Sequence, residues 1–222
     1  MDRISKSTRT KEQIIATALR LFAERGYEKT SMQDIASTLG MSKGGIYHHF
    51  KSKEEIIHLV RETKANRIKE NLGKWMDIIV AQTAREKLTA ILEKNIADEE
   101  AHAWDAAFSS QMKSADFILS IMKNSINDSA PVLSGILKEG LQDGSITTMY
   151  PDEAAEAFLL LMNIWCDPII FEADEKKLIR RLKFVQAMMR SVGADIVSDE
   201  VIHETSALLK NLYVGDSERN AP

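Results

Sequence analysis

The sequence predicts an all-α fold, and three observations carry that expectation. Apolar residues recur at i, i+3, i+4 and i+7 along most of the 222 residues. Alternating β-branched stretches are few, and only four prolines interrupt the periodic runs. Capping signals also stand where those runs begin, and Gly or Asp-Gly where they end.

The first predicted helix carries Ile14, Ile15, Ala18, Leu19 and Phe22 on one face and ends at Gly26. The box Thr30-x-x-Gln33 opens a short helix. Gly40 and Ser42 then separate it from another helix, from about Lys43 to Phe50. A second box, Ser52-x-x-Glu55, opens a longer one. Beyond it the periodicity predicts helices over 53–74, 83–98, 102–127, 131–143, 152–171, 174–193 and 198–213. Pro131 is expected to break or kink the chain there, and Pro168 to bend it. Asp143-Gly144 and Tyr150-Pro151 mark a turn, with Asp152 capping the next helix. The polar stretch Gly215 to Pro222 is expected to fray.

Composition narrows the classes. With 44% apolar residues the chain can bury a sizeable core. The single cysteine, Cys166, excludes an internal disulfide and fits a reducing compartment. No apolar run nears the roughly 18 residues that a membrane span needs, and the charged N-terminus lacks the apolar stretch of a secretory signal. The expected location is the cytoplasm, with no membrane partner.

The net charge of −4 taken alone argues against a polyanionic partner. It averages two unlike segments. Residues 1–53 hold ten Lys and Arg against five acids, giving +5, which leaves −9 on residues 54–222. A basic head on an acidic body is expected when only one end meets nucleic acid. A chance fluctuation of surface charge is the alternative.

The stretch from Thr30 to Phe50 decides between them. Ala36 is small where two helices would approach closely, and Gly40 supplies positive φ for a tight turn. Ile35, Leu39, Met41, Ile46 and Phe50 would fall inward onto Leu19 and Phe22. Outward, Ser42 would cap the second helix and leave its N-terminal N–H groups for a phosphate, with Lys43 adding charge. Gly44 and Gly45 would let the helix start lie against DNA. Each costs about 1 kcal/mol in a helix interior, which points to a need for close approach. Tyr47, His48 and His49 offer donors to base edges and phosphates. Tyr47 packed in the core, and the histidines as plain surface, are the alternatives. Adjacent histidines diverge by about 100° on a helix and make a poor metal pair. Thr30, Ser31 and Lys53, near helix starts, could clamp the backbone on either side.

The run Thr30-Ser-Met-Gln-Asp-Ile-Ala-Ser-Thr-Leu-Gly-Met-Ser-Lys-Gly-Gly-Ile-Tyr-His-His-Phe-Lys-Ser-Lys-Glu-Glu-Ile56, after Phe22-Ala-Glu-Arg-Gly-Tyr27, closely resembles the tetracycline-repressor (TetR) family of bacterial transcription regulators. The resemblance covers about residues 9–60. It implies a three-helix DNA-binding domain over residues 1–53 and a larger helical ligand-binding and dimerisation domain over 54–222. It also implies that the helix from Lys43 to Phe50 enters the major groove. Carried over by position, Ser42, Lys43, Gly44, Tyr47, His48 and His49 become DNA contacts, with Thr30, Ser31 and Lys53 on phosphates. Gly45 departs mildly from the pattern, which often has a small or hydroxylated residue there. The implied protein is a homodimer that reads a palindromic operator beside the nucleoid, and a repressor released by a small molecule.

The body gives partial support. The segment from Asp152 carries Ala155, Phe158, Leu159, Leu161, Met162 and Trp165, too apolar for a simple surface helix. The last helix places Val201, Ile202, Leu208, Leu209 and Leu212 on one stripe. Helices over about 152–171 and 174–213 could therefore form the dimer interface, or pack within one subunit. Trp75, Met76, Trp104, Phe108, Met112, Phe117, Met122, Met162 and Trp165 could line a pocket for an apolar or amphipathic effector. Gln111, Asn163 and Asp167 would be its polar anchors. Plain core is the alternative for each apolar residue.

Two rival classes remain. Glu55/His58, Glu99/His102 and Glu200/His203 repeat the Glu-x-x-His spacing of carboxylate di-metal bundles. Glu200 and His203 lie opposite the apolar stripe of their helix, however, and Glu55/His58 adjoins the basic head, so solvated pairs account for them better. No phosphate-binding glycine loop or nucleophile elbow occurs. Cys166 has no neighbouring histidine and reads as a buried structural thiol. No catalytic residue, metal or cofactor is expected. A helical ligand-binding protein whose head does not bind DNA is the other alternative.

Overall fold

The structure is a computed structural model that describes residues 2–98 and 114–219, and among these every regular element is helical. In chain order the helices are α1 (Asp2–Arg25), α2 (Met32–Thr38), α3 (Lys43–His49), α4 (Lys53–Ile78) and α5 (Ala84–Ile96). They continue with α6 (Ala115–Asn124), α7 (Ala130–Asp143), α8 (Pro151–Leu160), α9 (Glu175–Ser191) and α10 (Asp199–Arg219). Two π-helical segments, Ser125–Ser129 and Leu161–Trp165, extend α6 and α8. Residue contacts divide the chain into two units, the first running to Asn71 and the second resuming at Leu72.

The first unit is a small core built by local periodicity. Ile14, Ala18, Leu19, Leu21 and Phe22 of α1 meet Ile35 and Ala36 of α2 and Ile46 and Phe50 beside α3, all buried. The expected connecting helix contributes its first turns, since Ile56, Ile57 and Val60 are buried too. Gly26 ends α1 at φ 85°, a conformation that a Cβ would strain.

Helix α2 starts one residue later than the sequence suggests. Thr30 is only 1% exposed, and its hydroxyl donates inward to the Gly26 carbonyl at 2.9 Å. The cap passes to Ser31, whose Oγ accepts from Asp34 N at 3.1 Å while Asp34 accepts from Ser31 N at 2.8 Å. The capping box is therefore Ser31-x-x-Asp34 rather than Thr30-x-x-Gln33. Ahead of α4, Ser52 Oγ accepts from Glu55 N at 3.3 Å, but the Glu55 carboxylate reaches back to Lys51 N instead.

The second unit packs the other helices around one core. Leu88, Leu137, Phe158, Leu182, Val185 and Met189 are buried at its centre. Thr83, Ser114, Asp174 and Ser198 accept from backbone N–H groups at the starts of α5, α6, α9 and α10. Pro131 does not break the chain. It sits in the first turn of α7, where its missing N–H costs nothing, and the π-helical turn just before it carries helix through from α6. Asp152 does not cap α8, because its carboxylate is taken by Ser134 and, at 2.7 Å, by Lys138. The helical run ends at Trp165, short of Pro168, and the Asp167 carboxylate accepts from Ile169 N at 2.7 Å in the turn beyond.

Candidate nucleic-acid interface

The geometry of α2, the turn and α3 follows from a few inward anchors. Leu39 closes α2, Gly40 turns at φ 66°, and Met41 N donates to the Ala36 carbonyl at 2.9 Å. Ser42 then caps α3 in extended backbone, its Oγ accepting from Gly45 N at 3.1 Å. Ile46 and Phe50 are 0% and 2% exposed, one helical turn apart, and pin one face of α3 to the core. The opposite face is thereby fixed outward.

That outer face holds most of the expected set. Ser42, Lys43, Gly44, Tyr47 and His48 are exposed, while Gly45 and His49 are half-buried. Tyr47 stands outside the core that Ile46 and Phe50 close. A Cβ on Gly44 would meet nothing within 4 Å, whereas one on Gly45 would sit 3.2 Å from Ser42 Oγ. Space inside the protein therefore does not explain glycine at position 44. The His48 and His49 rings meet edge to face with centroids 5.4 Å apart. Burial, then the charges of His48 and Lys11, lower the His49 pKa from its ordinary 6.5.

Three expected backbone clamps are engaged within the protein. The Thr30 hydroxyl is buried, so it does not face solvent. Ser31 Oγ donates to the Asp34 carboxylate at 2.5 Å, and that carboxyl is held below the usual aspartate range by Ser31. Lys53 Nζ donates to the Tyr27 carbonyl at 2.8 Å and lies 4.2 Å from the centre of the Tyr27 ring. Ser31 remains exposed and Lys53 half-buried. Sequence reasoning passed over two cations beside α3. Lys51 Nζ donates to the Tyr47 carbonyl at 3.1 Å, and Lys11 Nζ lies 6.0 Å from the centre of the Phe50 ring. The spacing of Lys11 from Ile14 on α1 was the available signal.

The second unit contains an open apolar cleft of about 350 Å³ lined by Met122, Leu160, Leu161, Ile164, Trp165, Phe171 and Phe184. Only Met122 and Trp165 belong to the expected effector set. Phe117 is buried, and Trp75 and Met162 are half-buried against the core. Asn163 Nδ2 donates to Ser125 Oγ at 3.1 Å, which joins the two π-helical segments. Trp104, Phe108, Gln111 and Met112 lie outside the described residues, as does the pair Glu99/His102. Leu160, Ile164, Phe171 and Phe184 enter only through the fold, from the second half of the α8 run, the turn after it and α9.

The start of the apolar stripe of α10 packs inside the subunit, with Val201 1% and Ile202 5% exposed, while Leu208 and Leu209 are half-buried and the Leu212 side chain lies outside the described ones. Phe171 and Phe184, 46% and 56% exposed, are among the large apolar groups left outside, with Leu119, Met149 and Tyr150 of the same unit. Glu200 and His203 are exposed, and among the described residues no group of three or more His, Cys, Asp or Glu is placed to hold a metal. Among them, too, no helix is long and apolar enough to cross a membrane.

Comparison with known proteins gives a consistent pattern. Residues 14–60 match the model of bacterial regulatory proteins of the tetR family. The chain is 30% identical over 162 residues to the HTH-type transcriptional repressor KstR2 of Rhodococcus jostii, covering 71% of this chain and 78% of that one. It is 31% identical over 140 residues to the fatty acid metabolism regulator protein of Bacillus subtilis, covering 60% and 69% respectively. In fold it is similar to a TetR/AcrR-family regulator from Thermobifida fusca, with 24% identity, 92% and 98% of the chains covered and a TM-score of 0.59.

Proposed function

Because the chain belongs to the TetR family of bacterial regulatory proteins, we propose that it is a homodimeric repressor released from a palindromic operator by a small apolar or amphipathic molecule. It is a DNA-binding transcription regulator and not an enzyme. The observation that carries the proposal is the outer face of α3. Ile46 and Phe50 anchor the helix, and Ser42, Lys43, Gly44, Tyr47 and His48 are all exposed on its other side. Such a helix presents its first turn to base edges while its N-terminus favours phosphate.

Residues 1–53 carry DNA recognition in this reading, and residues 54–222 carry effector binding and dimerisation. The dimer forms through the helices over about 152–171 and 174–213, and the exposure of Phe171 and Phe184 there supports this. A two-fold pair would set two α3 helices about 34 Å apart, one turn of DNA. The +5 head draws DNA while the −9 body turns away, which orients the encounter. Its place of action is the cytoplasm beside the nucleoid. Effector binding favours a body conformation that misplaces the two α3 helices, and operator affinity falls by linkage.

The apolar lining of the cleft supports an effector with a substantial hydrocarbon part. A relative described as a fatty acid metabolism regulator points the same way. Selection of duplexes from a random-sequence library by the purified protein tests the reading. The expected result is a palindrome bound in a salt-dependent manner and released by an amphipathic acyl compound. A library that yields no enriched sequence would remove it.

A further inference from the structure

Helix α1 starts at Asp2, and among its side chains described, from Ser7 onward, the first buried one is Ile14. The twelve residues before Ile14 span about 18 Å at 1.5 Å per residue. From Ser7 to Gln13 no side chain is buried. Over that stretch the helix therefore runs ahead of the core that holds it.

The ridge that faces the core continues outward with a change of chemistry. Lys11 lies three residues before Ile14 and seven before Ala18, and Ser7 is the next position on that face, four before Lys11. Lys11 Nζ is 6.0 Å from the ring of Phe50, the residue that closes α3, and its charge acts on His49. The ridge thus passes beside the C-terminal end of α3.

Charge compensation separates Lys11 from its neighbours. Arg20 is tied to Glu24 at 3.0 Å, and Lys53 to the Tyr27 carbonyl at 2.8 Å. Lys11 has no ion pair with a described carboxylate and stands exposed, close enough for its charge to act on His49. An exposed ammonium without a described counter-ion lowers its energy when an anion arrives. An ammonium and a hydroxyl one turn apart suit consecutive phosphates of a nucleic-acid backbone.

We propose that the first turns of α1 form a second DNA-contacting arm, in which Lys11 and Ser7 hold backbone phosphates flanking the bases that α3 meets. This rests on the DNA-binding reading of α3 and extends it outside residues 14–60, the stretch that matches the family model. The arm adds affinity and fixes the angle at which α3 enters the groove, without reading sequence itself.

The test uses the full-length protein and the palindromic duplex it enriches, once with flanking DNA and once trimmed to the half-sites. Against the long duplex, Lys11→Ala is expected to bind more weakly, with a log–log salt slope shallower by about 0.9 for each phosphate that a subunit no longer neutralises. Lys11→Arg keeps the slope, and Ser7→Ala lowers affinity without changing it. Trimming weakens the wild type and leaves Lys11→Ala nearly unaffected. Should Lys11→Ala melt early, Lys11→Gln, which keeps the apolar stem, replaces it. Wild-type slope and affinity in both variants would overturn the arm while the DNA-binding reading stands. A slope change that persists on the trimmed duplex would overturn its flanking position. A wild type that binds no duplex would overturn the arm together with the reading beneath it.

Discussion

Lys53 is bound to Tyr27 twice, by an ammonium-to-carbonyl hydrogen bond of 2.8 Å and by its position 4.2 Å from the ring centre. The Tyr27 hydroxyl in turn donates to Glu54 at 2.7 Å. These contacts fasten the end of α1 to the start of α4 across the helix pair that presents α3. They give Lys53 a structural duty in the free protein, whatever it does when DNA is present.

Tyr27→Phe should lower stability by about 1 kcal/mol, the typical net worth of one hydrogen bond. It should also change the pH dependence. The Tyr27 hydroxyl, with help from Ser52, lowers the Glu54 pKa from 4.5. A carboxyl with a folded pKa below its unfolded value binds more protons unfolded, so stability falls as pH drops through the folded value. The gap between wild type and Tyr27→Phe should be widest above pH 4.5 and close below it. Urea unfolding across that range measures it, and a gap that widens in acid would contradict the assignment.

Gly44 separates stability from binding. Because a Cβ there meets nothing within 4 Å, Gly44→Ala should leave the fold intact and raise helix stability by up to about 1 kcal/mol. If the start of α3 lies against DNA, the same methyl should reduce operator affinity by tenfold or more. Lys43→Ala and Tyr47→Ala should abolish operator binding with folding and dimerisation unchanged. Melting curves and anisotropy titrations on the same samples check both halves. Operator affinity unchanged in all three variants would undo the assignment of this face.

How much was legible in the sequence depends on how local each feature is. Ile46, Phe50, Gly40 and Ser42 act through neighbours within one or two turns, so spacing was enough to orient α3. The shift of the α2 cap from Thr30 to Ser31 was not legible, because the Gly26 and Leu21 carbonyls that draw the Thr30 hydroxyl inward come from α1 and the turn after it. The π-helical turns were hidden as well. One extra residue in a turn rotates the face that follows by about 100°, but no local signal marks where it is inserted, and the bond between Asn163 and Ser125 that joins the two turns spans 38 residues. Phe171 and Phe184 escaped notice because a turn and half of α9 separate them. They share the cleft only after α9 folds back beside α8.

Cys166 should be inert in the native protein. It is 0% exposed, and burial pushes its thiol up to about 11. At pH 8 about one thiol in a thousand is then ionised, and that fraction is shielded from reagent. Iodoacetamide should label it only at the rate at which the second unit opens, with a burst on adding denaturant. Rapid stoichiometric labelling of the folded protein would show the thiol accessible and contradict its burial.

Phe184 tests which helices pair the subunits. Its ring meets Trp165 edge to face at 5.7 Å, yet 56% of the residue stays exposed on α9. A large aromatic left this open adds little to the stability of one chain, but buried against a copy it supplies roughly 1.5 to 3 kcal/mol. Because a two-fold interface uses each residue twice, Phe184→Asp should weaken the dimer by a hundredfold or more. Its single-chain melting should hardly change. Sedimentation across a concentration series reads the dissociation constant, and operator affinity should fall with it as half-sites are engaged singly. An unweakened dimer in Phe184→Asp would move the interface away from α8 and α9.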